Sequence, residues 1–265
     1  MSKALEKIKP AVRAISAYTL APYRATVKIN QNENPFDMPE EIKAEVRRRL
    51  ERRAWSRYPD FVPASLLERL AAFAGWKPEG TLAGNGSNEL IQATLTVMVG
   101  PGTRVLIAEP TFTLYRQIVT VLGGEVISVP LTPALQFDAA AIRASAAEGR
   151  ADVIILCSPN NPTGCRIDEE EVFELARDFD GIVIIDEAYH EFSGRSVVPL
   201  LEKLPNLIVL RTFSKAMAMA GLRVGYLLAT PELAREVHKA TLPYNLNLFS
   251  ATAAEVACEK FDLLR

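Results

Sequence analysis

Polar and apolar positions along the chain fall into two alternating rhythms. Short, mostly apolar runs at 104–108, 125–129, 153–156, 182–186 and 207–210 have the length of buried strands. Between them, at 87–99, 112–121, 138–147 and 168–179, apolar residues return every three or four positions, which is the spacing of a helix with one buried stripe. A further strand is expected near 223–229. Ahead of this region, 39–53 reads as a helix opened by Pro39 with Glu40 and Glu41 in its first turn, and 64–75 reads as a second helix. Residues 1 to about 38 are punctuated by Pro10, Pro22 and the stretch Asn30 to Pro35, and read as an arm with turns. Residues 250–264 read as a last helix, whose apolar surface is expected to lie partly uncovered. Strands separated by helices imply an α/β domain with a largely parallel sheet and helices on both faces.

A chain of 265 residues that is 49 % hydrophobic can bury a large core. Its 30 basic and 32 acidic residues leave a net charge of −2 and no basic stripe, so nucleic acid is not an expected partner. The apolar runs are strand-sized, far short of a membrane span. Cys157, Cys165 and Cys258 form no Cys-x-x-Cys pair, which argues against a disulfide framework and a zinc site. No metal is expected, and a reducing, cytoplasmic setting fits.

In sheets of this kind ligands sit beyond the carboxyl ends of the strands. The chemically expressive residues stand at those places. Val209-Leu210-Arg211-Thr212-Phe213-Ser214-Lys215 runs from a strand into a polar turn that presents a lysine, and Arg223 follows after Gly221. A lysine is usually a solvated surface residue. Held near other cations it loses its proton more readily and becomes an amine nucleophile. Arg223 offers a forked donor suited to phosphate. Asp186 closes the apolar run Ile184-Ile185, followed by Glu187-Ala188-Tyr189. A carboxylate there is a helix cap or a functional acid.

Asn160-Asn161-Pro162-Thr163-Gly164 spells a turn, but a turn alone does not require two asparagines just beyond a buried strand. Gly84-Asn85-Gly86-Ser87-Asn88-Glu89 resembles half of a dinucleotide fingerprint. It lacks the third glycine, and no clear strand precedes it. Ser87 could cap the helix that follows, and the N–H groups of Ser87 and Asn88 could also meet a phosphate. Phe112 and Tyr115 could both be core. One of them suits stacking on a flat ring, and Tyr115 is the expected one.

Asn32-Glu33-Asn34-Pro35, Arg57-Tyr58-Pro59, Gly86-Ser87-Asn88-Glu89, Pro110-Thr111-Phe112, Asn160-Asn161-Pro162-Thr163-Gly164, Asp186-Glu187-Ala188-Tyr189 and Ser214-Lys215 with Gly221-Leu222-Arg223 follow one another in that order. The series resembles the fold-type I aminotransferases and, among them, the histidinol-phosphate aminotransferases. The resemblance runs from about residue 20 to the end. It implies a mostly parallel seven-stranded sheet sandwiched by helices, with pyridoxal 5'-phosphate as cofactor. The implied division is an arm with part of a small domain at 1–38, a large cofactor-binding domain at 39–245, and the start of an incomplete small domain at 246–265. Family members carry a substrate-gripping arginine in that small domain, and no candidate for it stands before Arg265.

The resemblance also implies roles. Lys215 would hold the cofactor as a Schiff base and shuttle the substrate's Cα proton. Asp186 would face the pyridine nitrogen, and Tyr189 and Asn161 the ring oxygen. Ser87, Asn88, Ser214 and Arg223 would hold the phosphate. Tyr58 would reach the cofactor of a second copy in a homodimer, and Tyr23 and Asn34 would line the substrate pocket. A small-molecule amino donor and a 2-oxo acid acceptor, 2-oxoglutarate, would react in turn by ping-pong kinetics. An aromatic-amino-acid aminotransferase or a threonine-phosphate decarboxylase would share every cofactor residue. A non-catalytic sensor domain is a further alternative, but the 38-residue arm leaves no room for the DNA-binding segment such proteins carry.

Overall fold

The computed structural model describes residues 3–19 and 26–264. Ten α-helices are described: α1 Pro10–Ala14, α2 Glu40–Leu50, α3 Ala64–Ala74, α4 Ser87–Met98, α5 Leu114–Leu122, α6 Ala139–Glu148, α7 Glu169–Arg177, α8 His190–Ser193, α9 Pro231–His238 and α10 Leu248–Glu259. Seven strands form one sheet: β1 Thr81–Gly84, β2 Arg104–Glu109, β3 Glu125–Pro130, β4 Val153–Cys157, β5 Ile182–Asp186, β6 Leu207–Thr212 and β7 Gly225–Leu228. Their spatial order is β1-β7-β6-β5-β4-β2-β3. Only β7 runs against its neighbours, pairing antiparallel with β1 and β6. The chain places β3 on one side of β2 and β4 on the other, then continues outward through β5 and β6. The gap between β2 and β4 is thus the switch point of the sheet, where the loops leaving neighbouring strands diverge and open a crevice.

The apolar runs become strands because both faces of the sheet are covered. Side chains alternate across a strand. Leu106, Ile154, Leu156, Val183, Ile185, Leu207 and Val209 pack on one face against α2, α3, α6, α7 and α10. Val105, Ile107, Val153, Ile155, Ile184, Ile208 and Leu210 pack on the other face against α4, α5 and α9. Each such side chain, fully buried, contributes roughly 1.5–3 kcal/mol. Helix starts are fixed locally. Asp138 accepts the N–H of Ala141 at 2.9 Å, Thr230 that of Leu233 at 3.4 Å and Asn247 that of Ser250 at 2.9 Å.

Three elements depart from the sequence reading. A strand does open the Gly84-Asn85-Gly86 unit: β1 is short, and its pairing with β7 places it in the sheet. Helix α9 carries few apolar residues and was not expected, although Thr230-Pro231-Glu232 is a helix start. The last helix ends at Glu259 and is followed by a 3-10 turn, Phe261–Leu264. Its Ala253, Ala254, Val256 and Ala257 are buried in the core shared with α2 and α3, so its apolar surface is largely covered. No helix among the described residues is long and apolar enough to cross a membrane.

Candidate active site

The carboxyl ends of β2, β4, β5 and β6 deliver their turns to the crevice at the switch point. Asp186 is the last residue of β5 and lies on the face of α4 and α5. It is 3 % exposed. Tyr115 of α5 donates its hydroxyl to Asp186 Oδ2 at 2.6 Å, and the backbone N–H of Ala188 donates to Oδ1 at 3.0 Å. Burial pushes the carboxyl up to about 6, against the opposing pull of these two hydrogen bonds.

Lys215 stands in the turn after β6. Its half-buried Nζ donates to the carbonyl of Gln31 at 2.8 Å and lies 5.7 Å from the centre of the Tyr189 ring. Burial holds the ammonium below the usual lysine range, and Arg223 nearby pushes the same way, while Glu33 and Asp186 oppose. The amine is therefore easier to deprotonate than a surface lysine. Tyr189 accepts a hydrogen bond from Asn32 Nδ2 at 3.1 Å, and the same nitrogen lies 3.5 Å from Asn161 Oδ1. Asn161 and Tyr189 together line a cavity of about 460 Å³, with Asn32, Phe192 and Arg166 on its wall.

The two asparagines after β4 divide their work. Asn160 is 4 % exposed and ties the turn down: it accepts from Thr111 at 2.6 Å and donates to the Pro110 carbonyl at 2.9 Å and Thr163 at 2.8 Å. Asn161, held beyond it, lines the cavity with its Oδ1 facing Asn32 Nδ2 at 3.5 Å.

A second cluster forms where α4 begins. Gly86, not Ser87, is the residue before the helix, at φ 82°, and no side chain caps the first turn. A Cβ on Gly86 would lie 2.3 Å from Arg223 Nη2, and one on Gly225 would lie 2.3 Å from the backbone nitrogen of Ser87. Only glycine admits this approach of β7 and Arg223 to the helix start. Arg223 donates to Ser214 Oγ at 3.0 Å, and Ser214 accepts from Thr212 Oγ1 at 3.0 Å. Uncapped N–H groups of a helix start, two serine hydroxyls and a guanidinium thus converge, as a phosphate requires. Glu89 reaches back to accept the N–H of Asn85 and a bond from Asn245 Nδ2 at 3.0 Å, which fixes the loop from behind.

Of the residues expected from sequence, Lys215, Asp186, Tyr189, Asn161, Ser87, Asn88, Ser214 and Arg223 lie on these converging turns. Asn34 joins them from the arm, donating to the carbonyl of Ala216 at 3.1 Å. Tyr115 is a correction. Its ring is 0 % exposed and therefore cannot stack on a ligand. It packs edge-on against Phe112 at 5.5 Å and 86°, and Phe112, half-buried with Tyr18 6.5 Å away, is the more accessible of the two rings. A helical turn puts residue 115 under residue 112, toward the sheet, which the sequence spacing alone does not reveal. Tyr58 is 81 % exposed and stacks on Tyr244 at 4.5 Å, with no described contact to Lys215. Tyr23 lies outside the described residues. Asn32 was not singled out as a site residue. Its signal in the sequence was the motif Asn32-Glu33-Asn34-Pro35; the structure adds a positive φ of 53°, a turn geometry asparagine tolerates.

The model of the aminotransferase class I and II family matches residues 24–264. Histidinol-phosphate aminotransferase from Chlorobium phaeobacteroides is 44 % identical over 241 residues, covering 90 % of this chain and 67 % of its own length. Histidinol-phosphate aminotransferase from Chlorobaculum parvum is 44 % identical over 259 residues, covering 97 % of this chain and 73 % of its own length. The crystal structure of the Sinorhizobium meliloti histidinol-phosphate aminotransferase in complex with pyridoxal-5'-phosphate has the same fold, with a TM-score of 0.88 at 24 % identity over 97 % of this chain and 72 % of that one. The chain belongs to the class I and II aminotransferases, enzymes whose cofactor is pyridoxal phosphate.

Proposed function

We propose that the chain transfers the amino group of histidinol phosphate to 2-oxoglutarate, with Lys215 as the residue that carries the reaction. The observation that carries this reading is the convergence on one crevice of a buried carboxylate, an easily deprotonated lysine and a phosphate-shaped cluster of donors. The 44 % identity to relatives of that name favours this donor over an aromatic amino acid, and transamination over decarboxylation of threonine phosphate.

Bound pyridoxal phosphate supplies an aldehyde that condenses with amines and a protonated ring that draws electrons from the substrate's Cα. Lys215 Nζ is the amine suited to hold that aldehyde before substrate arrives. Once displaced, it is the base placed to take the Cα proton and to return it. The buried carboxylate of Asp186 is suited to keep a proton on the ring nitrogen, with Tyr115 fixing its orientation. Tyr189 and Asn161 offer hydrogen bonds to the ring oxygen, and Phe112 offers a face for the ring. The N–H groups of Ser87 and Asn88, the Ser214 hydroxyl and Arg223 suit the phosphate. The segment from Gln31 to Asn34 lies over Lys215, so Asn32 and Asn34 are placed to meet substrate.

The exposed stretch of Trp55, Tyr58 and Phe61, at 83 %, 81 % and 59 %, supports an interface with a second copy. A homodimer in which Tyr58 reaches the partner's cofactor, a cytoplasmic location, and a division near 38 and 245 into arm, large domain and start of a small domain complete the reading.

The test is an absorption titration of the purified chain with pyridoxal phosphate, followed by borohydride and peptide mass analysis, then by histidinol phosphate. A visible band that borohydride fixes to Lys215, and that histidinol phosphate bleaches, is expected. Folded protein that gives no band would overturn the reading. A band that answers only to another amine would overturn the substrate.

A further inference from the structure

Behind the crevice, on the opposite face of the same two strands, lies a second charged cluster. Glu187 directly follows Asp186, and Arg211 lies four residues before Lys215. Both side chains lie on the face of the sheet opposite Asp186, beside Ser196 and Tyr226. Glu187 is 2 % and Arg211 4 % exposed. Arg211 Nε and Nη2 both approach Glu187 Oε2, at 3.0 and 2.9 Å. Ser196 Oγ closes the triangle, accepting from Arg211 Nη2 at 2.6 Å and donating to Glu187 Oε2 at 2.9 Å. The N–H of Val197 donates to Glu187 Oε1 at 2.6 Å, and Arg211 Nη1 reaches the Tyr226 hydroxyl of β7 at 3.4 Å. No oxygen of this carboxylate is left unmet.

A buried ion pair is a poor way to stabilise a core, because desolvation of two charges consumes most of their attraction and apolar residues of similar size do as well or better. Its position suggests another use. It joins the ends of β5 and β6 one residue past the point where Asp186 and Tyr189 leave one strand, and four residues before Lys215 leaves the other. Two guanidinium N–H groups on Glu187 Oε2, with the Val197 N–H on Oε1 and Ser196 bridging the pair, hold these groups by directional bonds, which interchangeable apolar contacts do not.

We infer that Glu187 and Arg211 are positioning residues: the buried pair sets the relative placement of the turn carrying Tyr189 and the turn carrying Lys215. The inference rests on the proposed role of Lys215. It makes the pair responsible for geometry rather than for stability, and so separates two quantities that an ordinary core contact would move together. A misplacement of about 1 Å at a reacting group lowers turnover by up to on the order of 10²-fold.

The experiment compares the parent with the apolar double variant Glu187→Leu/Arg211→Met and with Ser196→Ala. Three readouts are taken: thermal unfolding and amide hydrogen exchange of cofactor-free protein, the dissociation constant of pyridoxal phosphate, and kcat separately from KM. Expected is a double variant that unfolds within a few degrees of the parent, yet exchanges faster at 187–197 and 211–219, loses cofactor affinity by roughly 10-fold and loses kcat more than it raises KM. Ser196→Ala, which keeps the charges, should show the same pattern at smaller size. A double variant with parental exchange, affinity and kcat would overturn the inference. So would a double variant that fails to fold together with a Ser196→Ala protein that loses stability but keeps parental exchange in these turns and parental kcat. If the parent itself forms no borohydride-fixed adduct, the role of Lys215 is lost and the inference falls with it. Parental attachment with unchanged variants sinks the inference alone.

Discussion

Asp186 and Glu187 are neighbours in sequence, and both carboxylates are buried, but they belong to opposite faces of the sheet and lead different lives. Glu187 meets a guanidinium, a hydroxyl and a backbone N–H, so both of its oxygens are satisfied. Asp186 has a neutral phenol and a single N–H, and no ion pair among the described residues. Burial therefore drives its carboxyl up to about 6. Lys215 is the counterpart on the same face: half-buried, bonded to one carbonyl, and shifted downward by burial. A fully met charge on one side of the strands holds the frame. Incompletely met charges on the other side are shifted toward the pH at which proton transfer is efficient.

The sharpest test of that contrast is removal of the front-face amine. Lys215→Ala should lower kcat by about 10³-fold or more and abolish borohydride-fixed attachment, measured by single-turnover kinetics and peptide mass. Residual activity within tenfold of the parent would break the comparison at its centre. Next in size, Asp186→Asn should cost kcat/KM on the order of 10²-fold, as expected when an electrostatic partner of the reacting system is neutralised.

The same substitution tests the burial of Asp186 in cofactor-free protein. A carboxyl at about 6 when folded and near 3.8 when unfolded binds its proton more tightly in the folded state. Its contribution to stability is therefore favourable below pH about 4 and is lost as pH rises to about 6, on the order of 3 kcal/mol in all. Subtracting the unfolding free energies of the parent and Asp186→Asn across that range removes the other titrating groups. A difference that stays flat from pH 4 to 7 would show Asp186 to be an ordinary exposed-type carboxylate.

Tyr115→Phe removes one of the two donors to Asp186. It should destabilise the fold by about 1–3 kcal/mol and move the Asp186 titration further upward, read by chemical denaturation at several pH values. Smallest, Phe112→Leu should weaken cofactor affinity by up to roughly tenfold through loss of the stacking face, with little change in thermal stability. The reverse ranking, with Tyr115→Phe lowering affinity through stacking and Phe112→Leu unfolding the chain, would restore Tyr115 as the stacking ring.

Much of the molecule was legible without coordinates. Runs of four or five residues rich in Val, Ile and Leu have few alternatives to a strand in a covered sheet, so β2 to β6 and the parallel sheet followed from hydrophobic pattern. Chain reversal at the strand ends then placed Asn161, Asp186 and Lys215 on one edge. The strand β1 escaped because Thr81-Leu82-Ala83-Gly84 is too short and too weakly apolar to stand out. It is a strand because β7 offers it a ladder, and that ladder is remote in sequence.

What the sequence determined by itself was the set of chemical groups and the order in which strands present them, because strand and helix periodicities are local properties. Facing, burial and pairing were decided by the tertiary structure alone. Three residues separate Phe112 from Tyr115, yet only the packing of α5 on the sheet leaves the first half-buried and makes the second a buried donor. One residue separates Asp186 from Glu187, yet only the placement of Arg211 on the far side of the sheet makes one carboxylate structural and leaves the other to chemistry. The distances that decide a charge's fate run across strands, between residues that share no local segment, and there a close ion pair or its absence outweighs any local preference.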